Sequence, residues 1–206
     1  MVKPRIAVVD YGVGNLRSVY RALEHKGADP EITVDRDKIE ECDAMVMPGV
    51  GAFGDTIREF GVFGDFLRDY VEKKPVLGIC LGLQLFFSLS EEDGLHEGFD
   101  LLSGRVVKLP DSLKIPHMGW NSLKIEEKSR LLAGIKDGDY FYFVHSYYAK
   151  PEDDVTVATT EYGVKIPAMV EKGNLYATQF HPEKSGGKGL KIIENFVEIT
   201  RQIKEG

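Results

Sequence analysis

Pro75-Val76-Leu77-Gly78-Ile79-Cys80-Leu81-Gly82-Leu83-Gln84 is an apolar run that passes, at Cys80, directly into a helix-like stretch. A strand that turns sharply into a helix strains the backbone of its corner residue, and small neighbours let the two elements come close. Gly78 and Gly82 meet that need. The corner also sets the Cys80 sulfur at a helix N-terminus, where unpaired N–H groups and the helix dipole favour thiolate, the reactive form. A buried core cysteine is the bland alternative, so a nucleophilic role for Cys80 needs partners. After the corner, Leu81, Leu85, Phe86 and Leu89 form the inward stripe of the predicted helix. Gln84, one turn on, is set either to overlook the thiol or to face solvent.

The partners come a hundred residues later, in Tyr176-Ala177-Thr178-Gln179-Phe180-His181-Pro182-Glu183. Residues i and i+2 of an extended chain share a side, and Pro182 favours extension, so His181 and Glu183 can meet. A carboxylate beside an imidazole fixes its tautomer and stabilises its protonated form, which gives nucleophile, acid/base and orienter in Cys80, His181 and Glu183. Pro48-Gly49-Val50-Gly51-Ala52-Phe53 follows a strand at the edge where open α/β sheets bind ligands. An ordinary turn would use the same residues. Beside Cys80, the N–H groups around Gly49, Val50 and Gly51, with that of Leu81, suit the oxyanion of an acyl transfer. Glu91 and Glu92 are placed at the C-terminal end of the helix after Cys80. One of them can hold a substrate ammonium; two solvated carboxylates are an equal reading. His145 follows the apolar strand Tyr140-Phe141-Tyr142-Phe143-Val144. No Cys/His cluster at metal-ligand spacing accompanies it, so no metal is expected. Gly12 and Gly14 follow a strand, but Arg17 stands where a dinucleotide fingerprint needs its third glycine.

Around these motifs the chain alternates: strand Arg5 to Val9, helix Leu16 to His25 with Asn15 placed to cap it, strands Glu31 to Val34 and Ala44 to Met47, and helix Val62 to Lys73. Such alternation means a parallel sheet wrapped by helices. From Phe99 onward, strands at Gly104 to Leu109, Tyr140 to Tyr148, Val155 to Thr160, Ala168 to Glu171 and Leu175 to Phe180 predict antiparallel members. A closing amphipathic helix spans about Gly189 to Ile203. The expected fold is α/β: a single-domain, open, mixed but mostly parallel sheet flanked by helices, with a nucleophile elbow, over residues 1–206. With 43% hydrophobic residues the chain can bury a sizeable core, and a net charge of −7 without a Lys/Arg stripe argues against a nucleic-acid surface. Two cysteines outside any disulfide framework, and no apolar segment long enough for a signal peptide or membrane span, point to a reducing cytoplasm.

Taken together, Pro48 to Phe53, Gly78 to Gln84 and His181-Pro182-Glu183 resemble the class I, triad-type, glutamine amidotransferases, which share a flavodoxin-like sheet. Within that class, Asp10-Tyr11-Gly12-Val13-Gly14-Asn15-Leu16, Pro116-His117-Met118-Gly119-Trp120-Asn121, Tyr142-Phe143-Val144-His145-Ser146-Tyr147 and His181-Pro182-Glu183-Lys184-Ser185-Gly186 look like the glutaminase subunits of imidazole glycerol phosphate synthases. The resemblance implies that Cys80 attacks the carboxamide of glutamine and that His181, oriented by Glu183, protonates ammonia. Water would then hydrolyse a γ-glutamyl thioester. It implies that Gln84, Glu92, His145, Ser146 and Tyr147 lie near the substrate, and that no cofactor is used. It further implies a partner, a β/α-barrel cyclase subunit that receives ammonia through a protected channel in histidine biosynthesis. Another synthase, such as that of anthranilate or aminodeoxychorismate, is the alternative acceptor. Tyr11, Asn15, Trp120, Tyr142 and Lys184 are expected at the docking surface; core packing is the other reading of the aromatics, and for Trp120 the two weigh equally.

Overall fold

The computed structural model describes residues 2–12 and 15–205, so Val13 and Gly14 of the opening motif lie outside the described residues. The first half runs β1 (Arg5–Val9), α1 (Leu16–His25), β2 (Asp29–Thr33), α2 (Arg36–Glu41), β3 (Ala44–Gly49), α3 (Phe53–Phe60), a 3-10 turn, α4 (Gly64–Val71), β4 (Val76–Cys80) and α5 (Leu81–Leu85). The second half is strand-rich: β5 (Phe87–Ser90), β6 (His96–Glu97), β7 (Leu102–Lys108), β8 (His117–Ser122), β9 (Lys124–Ile125), β10 (Tyr140–His145) and β11 (Tyr147–Pro151). It continues through β12 (Thr156–Glu161), β13 (Lys165–Lys172), β14 (Leu175–Thr178), a 3-10 turn at Pro182–Lys184, and α6 (Gly186–Glu205).

The main sheet has the order β2-β1-β3-β4-β14-β13-β12-β9. Its first five strands are parallel, and β13, β12 and β9 continue it antiparallel. Strands buried on both faces read as unbroken apolar runs, because successive side chains enter opposite layers. In β1, Ile6 and Val8 join the layer under α1 and α6, with Val19, Leu23, Ile192 and Phe196. Ala7 and Val9 join the opposite layer, with Ile39, Phe53 and Leu67 from α2, α3 and α4. Each fully buried side chain of the size of Leu23 or Phe196 contributes roughly 1.5–3 kcal/mol relative to exposure. None of the described helices is long and apolar enough to cross a membrane.

Five expectations are corrected. The strands of the second half do not all join one sheet: β8 and β10 make a separate ribbon, and β11-β7-β5-β6 make a third sheet. The run Tyr140 to Tyr148 splits at Ser146, its two halves pairing with β8 and β7. The helix after Cys80 stops at Leu85 instead of reaching Leu89, and Leu89 lies in β5. Its last carbonyls are taken by distant N–H groups, Phe99 on Leu85 and Leu101 and Leu102 on Phe86, at 2.8 to 3.0 Å. The single helix read over Val62 to Lys73 is shorter, and α2 and α3 precede it unforeseen. Last, Asn15 occupies the N-cap position of α1, but its side chain makes no capping bond.

Candidate active site

Three neighbouring parallel strands, β3, β4 and β14, deliver the motifs to one sheet edge. Gly49 pairs with Cys80 on one side of β4, and Thr178 with Ile79 on the other. Residues separated by a hundred positions in the chain therefore meet at the carboxyl ends of adjacent strands.

Cys80 has φ 54° and ψ −101°, a left-handed conformation rare for a residue with a side chain. Such a backbone costs on the order of 1–3 kcal/mol and persists where its surroundings enforce it. The flanking glycines show what enforces it. A Cβ on Gly82 would lie 2.0 Å from the Met47 carbonyl oxygen, and one on Gly78 would lie 2.5 Å from Phe86 Cε2. Gly49 is equally confined: a Cβ there would lie 2.6 Å from the Tyr11 hydroxyl and 2.8 Å from Leu81 Cβ.

His181 and Glu183 are joined by a 2.9 Å bond from Nδ1 to Oε1, both side chains 2% exposed. The link is not made by an extended peptide, since Pro182–Lys184 coil into a 3-10 turn that brings the carboxylate back to the ring. Ser185 locks this turn, its hydroxyl donating to His181 O at 2.6 Å and accepting from Tyr142 N–H at 2.9 Å. Burial disfavours a charged imidazole, but a Cys80 thiolate and Glu183 outweigh it and raise the His181 pKa to about 10. His181 Nε2 has no hydrogen-bond partner, and the Cys80 thiol donates to Val144 O at 3.7 Å. Sulfur and imidazole are thus electrostatic neighbours whose direct hydrogen bond is not drawn tight.

Beside Cys80 lies a cavity of about 190 Å³ lined by Val50, Gly51, Leu81, Gln84, Glu92, Val144, His145, Ser146 and Tyr147. Every substrate residue expected from the sequence is in that lining, and so are Val50, Gly51 and Leu81 of the expected oxyanion group. Gly49 is not; it is strand backbone, and its contribution is to let β3 approach Leu81 and Tyr11. A larger cleft, about 500 Å³ around Arg68, Glu72, Lys172 and Asn174, holds none of these groups. Gln84 is buried, so the solvent-facing reading falls; its Nε2 donates to Tyr147 O at 2.9 Å and Gln179 Oε1 at 3.2 Å. Glu92 follows β5 rather than ending a helix. Its Oε2 accepts from Phe53 N–H at 2.8 Å, at the positive end of α3. Burial raises its pKa, and the Phe53 bond opposes that rise. Glu91 stays on the surface, pairing with Arg105 at 3.5 Å.

His145 donates from Nδ1 to the Tyr147 carbonyl at 2.9 Å, so its Nε2 accepts from His117 Nδ1 at 3.0 Å. Burial lowers both histidines, to about 3 for His145 and about 4 for His117, and both are neutral in neutral solution. Among the described residues no group of three or more His, Cys, Asp or Glu is arranged to hold a metal ion. Of the expected docking residues, Trp120 is 55% exposed and Lys184 is exposed, while Asn15 and Tyr142 are half-buried. Tyr11 is a correction: at 2% exposure it packs in the core, edge-on to Phe60.

A family model of class-I glutamine amidotransferases matches residues 7–199. The chain belongs to that family. The imidazole glycerol phosphate synthase subunit HisH of Methanothermobacter thermautotrophicus is 54% identical to this amidotransferase over 198 residues, 95% of this chain and 99% of its own. The HisH subunit of Archaeoglobus fulgidus is 48% identical, covering 96% and 100%. In a solved structure of PurLQS from Thermotoga maritima, one chain matches the amidotransferase with a TM-score of 0.76 at 25% identity, over 96% of this chain and 99% of that one. Sequence reasoning missed Gln179, whose Nε2 lies 3.5 Å from Cys80 Sγ. The signal was present, since Gln179 stands two residues before His181 on an extended segment.

Proposed function

We propose that residues 1–206 act as one domain, the glutaminase subunit of an imidazole glycerol phosphate synthase, with Cys80, His181 and Glu183 as its triad. The reading rests above all on the pairing of β4 with β14, which sets a strained cysteine and a carboxylate-bound imidazole at one sheet edge. The Cys80 sulfur attacks the carboxamide carbon of glutamine. The resulting oxyanion is held by backbone N–H groups of Leu81 and the Val50–Gly51 bend. His181, already protonated, gives its proton to the departing ammonia and leaves a γ-glutamyl thioester. Water then attacks that carbonyl, His181 takes its proton, and glutamate is released as the sulfur leaves. Glu92 suits the substrate ammonium, and Gln84, His145, Ser146 and Tyr147 shape the remainder of the glutamine pocket. The reaction uses no cofactor or metal, and two free cysteines suit a reducing cytoplasm.

Ammonia needs an acceptor, supplied in this reading by a β/α-barrel cyclase subunit through a channel that excludes water. The β8–β10 ribbon is the docking element. Its exposed Met118 and Trp120 stand beside the triad, because Tyr142, register partner of Trp120, accepts through its carbonyl from His181 N–H at 2.9 Å. Gly51, at φ 149°, provides a hinge at which the oxyanion donors swing into line when the partner is loaded. Ammonia release from glutamine is measured for the chain alone, with the cyclase, and with the cyclase and its nucleotide. Release should be low alone, rise with the loaded partner and vanish in Cys80→Ala. Equal release in all three conditions rejects the coupling, and activity retained by Cys80→Ala rejects the triad.

A further inference from the structure

We propose that Gln179 is a further catalytic residue: its side-chain amide donates to the Cys80 sulfur and stabilises the thiolate, held in that orientation by a one-way chain of hydrogen bonds that starts at the Tyr147 carbonyl. The inference rests on the reading of Cys80 as nucleophile and adds a group to it.

The direction of the chain follows from which atoms can only accept. The Tyr147 carbonyl oxygen has no proton to give, so the Gln84 group facing it at 2.9 Å is the NH2. The same NH2 then faces Gln179 at 3.2 Å, and the Gln179 atom that receives it is Oε1. With its oxygen committed, Gln179 presents its NH2 to Cys80 Sγ at 3.5 Å. A reversed Gln179 amide would set NH2 against NH2 at Gln84 and an oxygen against the sulfur. The Tyr147 carbonyl is itself fixed by His145 Nδ1, and His145 by His117, whose Nε2 in turn lies 3.3 Å from the Asn121 amide. Gln179 is 0% exposed and Gln84 5%, so no bulk water competes for these bonds.

Two hydrogen-bond contacts of the sulfur have opposite preferences. Val144 O accepts a thiol proton at 3.7 Å and has nothing to offer a thiolate. The Gln179 N–H is a donor, and donors bond more strongly to an ionised acceptor. Ionisation therefore trades the Val144 contact for a stronger Gln179 contact, without rearrangement. The other titratable groups around the sulfur are His181, backed by Glu183, on the turn after β14, Tyr11 after β1, Glu92 after β5, His145 on β10 and Tyr147 on β11. His181 acts on the thiolate by charge; Gln179 adds a neutral donor from a second direction.

The first readout of the test is the sulfur itself and needs neither glutamine nor partner. The full chain is alkylated with iodoacetamide across a pH series, and peptide mass mapping separates Cys80 from Cys42. In Gln179→Met, which keeps the volume and removes the donor, the midpoint of Cys80 alkylation should rise by about one to two pH units, the range expected for one hydrogen bond to a charged group. kcat/KM for glutamine with the loaded partner should fall about tenfold to a hundredfold by the same conversion, with KM little changed. Gln179→Glu keeps both the shape and an acceptor for Gln84, and by placing a carboxyl group at the sulfur it should move the midpoint further up. An unchanged midpoint in either folded variant overturns the proposal. If Cys80→Ala still hydrolyses glutamine, the triad reading fails, while the alkylation midpoints still judge the Gln179 bond.

Discussion

Replacing Gly82 by alanine tests the elbow at its tightest point. The added methyl carbon would lie 2.0 Å from the Met47 carbonyl oxygen, 3.1 Å from its carbon and 3.4 Å from its Cβ. Carbon and carbonyl oxygen approach to about 3.3 Å at the closest, so roughly 1.3 Å of separation must be found. Met47 belongs to β3, hydrogen-bonded between β1 and β4, and its side chain is buried in the layer with Phe53 and Leu67. The strand cannot retreat without breaking ladder bonds, so the start of α5 gives way and carries Leu81 N–H and Cys80 with it. Inserting one methyl into a packed core costs about 1–3 kcal/mol. A misplacement near 1 Å in a positioned site costs on the order of 100-fold in rate.

Urea unfolding gives the first quantity and ammonia release with the loaded partner gives the second. Gly187→Ala is the matched control: Gly187 lies in the first turn of α6, and an added Cβ there meets nothing within 4 Å. Gly82→Ala should lose both stability and activity, whereas Gly187→Ala should lose neither. If Gly82→Ala keeps the wild-type urea midpoint and rate, steric confinement is not what sets the Cys80 corner.

Two further outcomes follow from charge and exposure. His181 should hold its proton until about pH 10 by ring-proton NMR, and in Cys80→Ala its midpoint should drop because burial then faces Glu183 alone. Its folded pKa lies above the unfolded value near 6.5, so its stabilising contribution is complete below pH 6.5 and disappears as pH rises toward 10; a midpoint unmoved by Cys80→Ala contradicts the thiolate–imidazolium pairing. Trp120→Ala removes an exposed ring that packs edge-on to Tyr142 at 6.1 Å, and on the proposed docking by the β8–β10 ribbon it should weaken partner binding by about 2 kcal/mol or more in calorimetry. Unaltered affinity would move the docking surface away from the β8–β10 ribbon.

The parallel half of the sheet was legible because doubly buried strands announce themselves: Ile6 to Val9, Ala44 to Met47 and Val76 to Ile79 are apolar without interruption. The corner was legible from two glycines, and both prove to be sterically required. What stayed hidden is set by distant chain. Leu81 to Leu89 has helical spacing throughout, yet α5 ends after five residues because Phe99, Leu101 and Leu102 claim its carbonyls. Tyr11 carries a polar tip that suggests a surface. Its burial is imposed by Gly49, whose missing side chain leaves the space that the hydroxyl enters.

The Tyr11 hydroxyl and His181 Nε2 are both buried without a hydrogen-bond partner, and a Cys80 thiolate acts electrostatically on both. Unsatisfied buried polar atoms are rare enough to need a reason; among the described residues the Tyr11 hydroxyl, His181 Nε2 and Glu183 Oε2 lie at or behind the Cys80 site, while Glu171 Oε2 and Arg201 Nε lie on β13 and α6. In the proposed mechanism His181 Nε2 exchanges a proton with substrate, so a permanent partner there would have to be broken at each turnover. The Tyr11 hydroxyl occupies the space a Gly49 side chain would need, 2.6 Å from an added Cβ, just before the Val50–Gly51 bend. Beside them His145, His117, Gln84 and Gln179 are tied by hydrogen bonds to one another or to the Tyr147 carbonyl. Hydrogen-bond order is thus concentrated in the Gln84–Gln179 and His145–His117 links, while the His181–Glu183 pair carries open positions at Nε2 and Oε2.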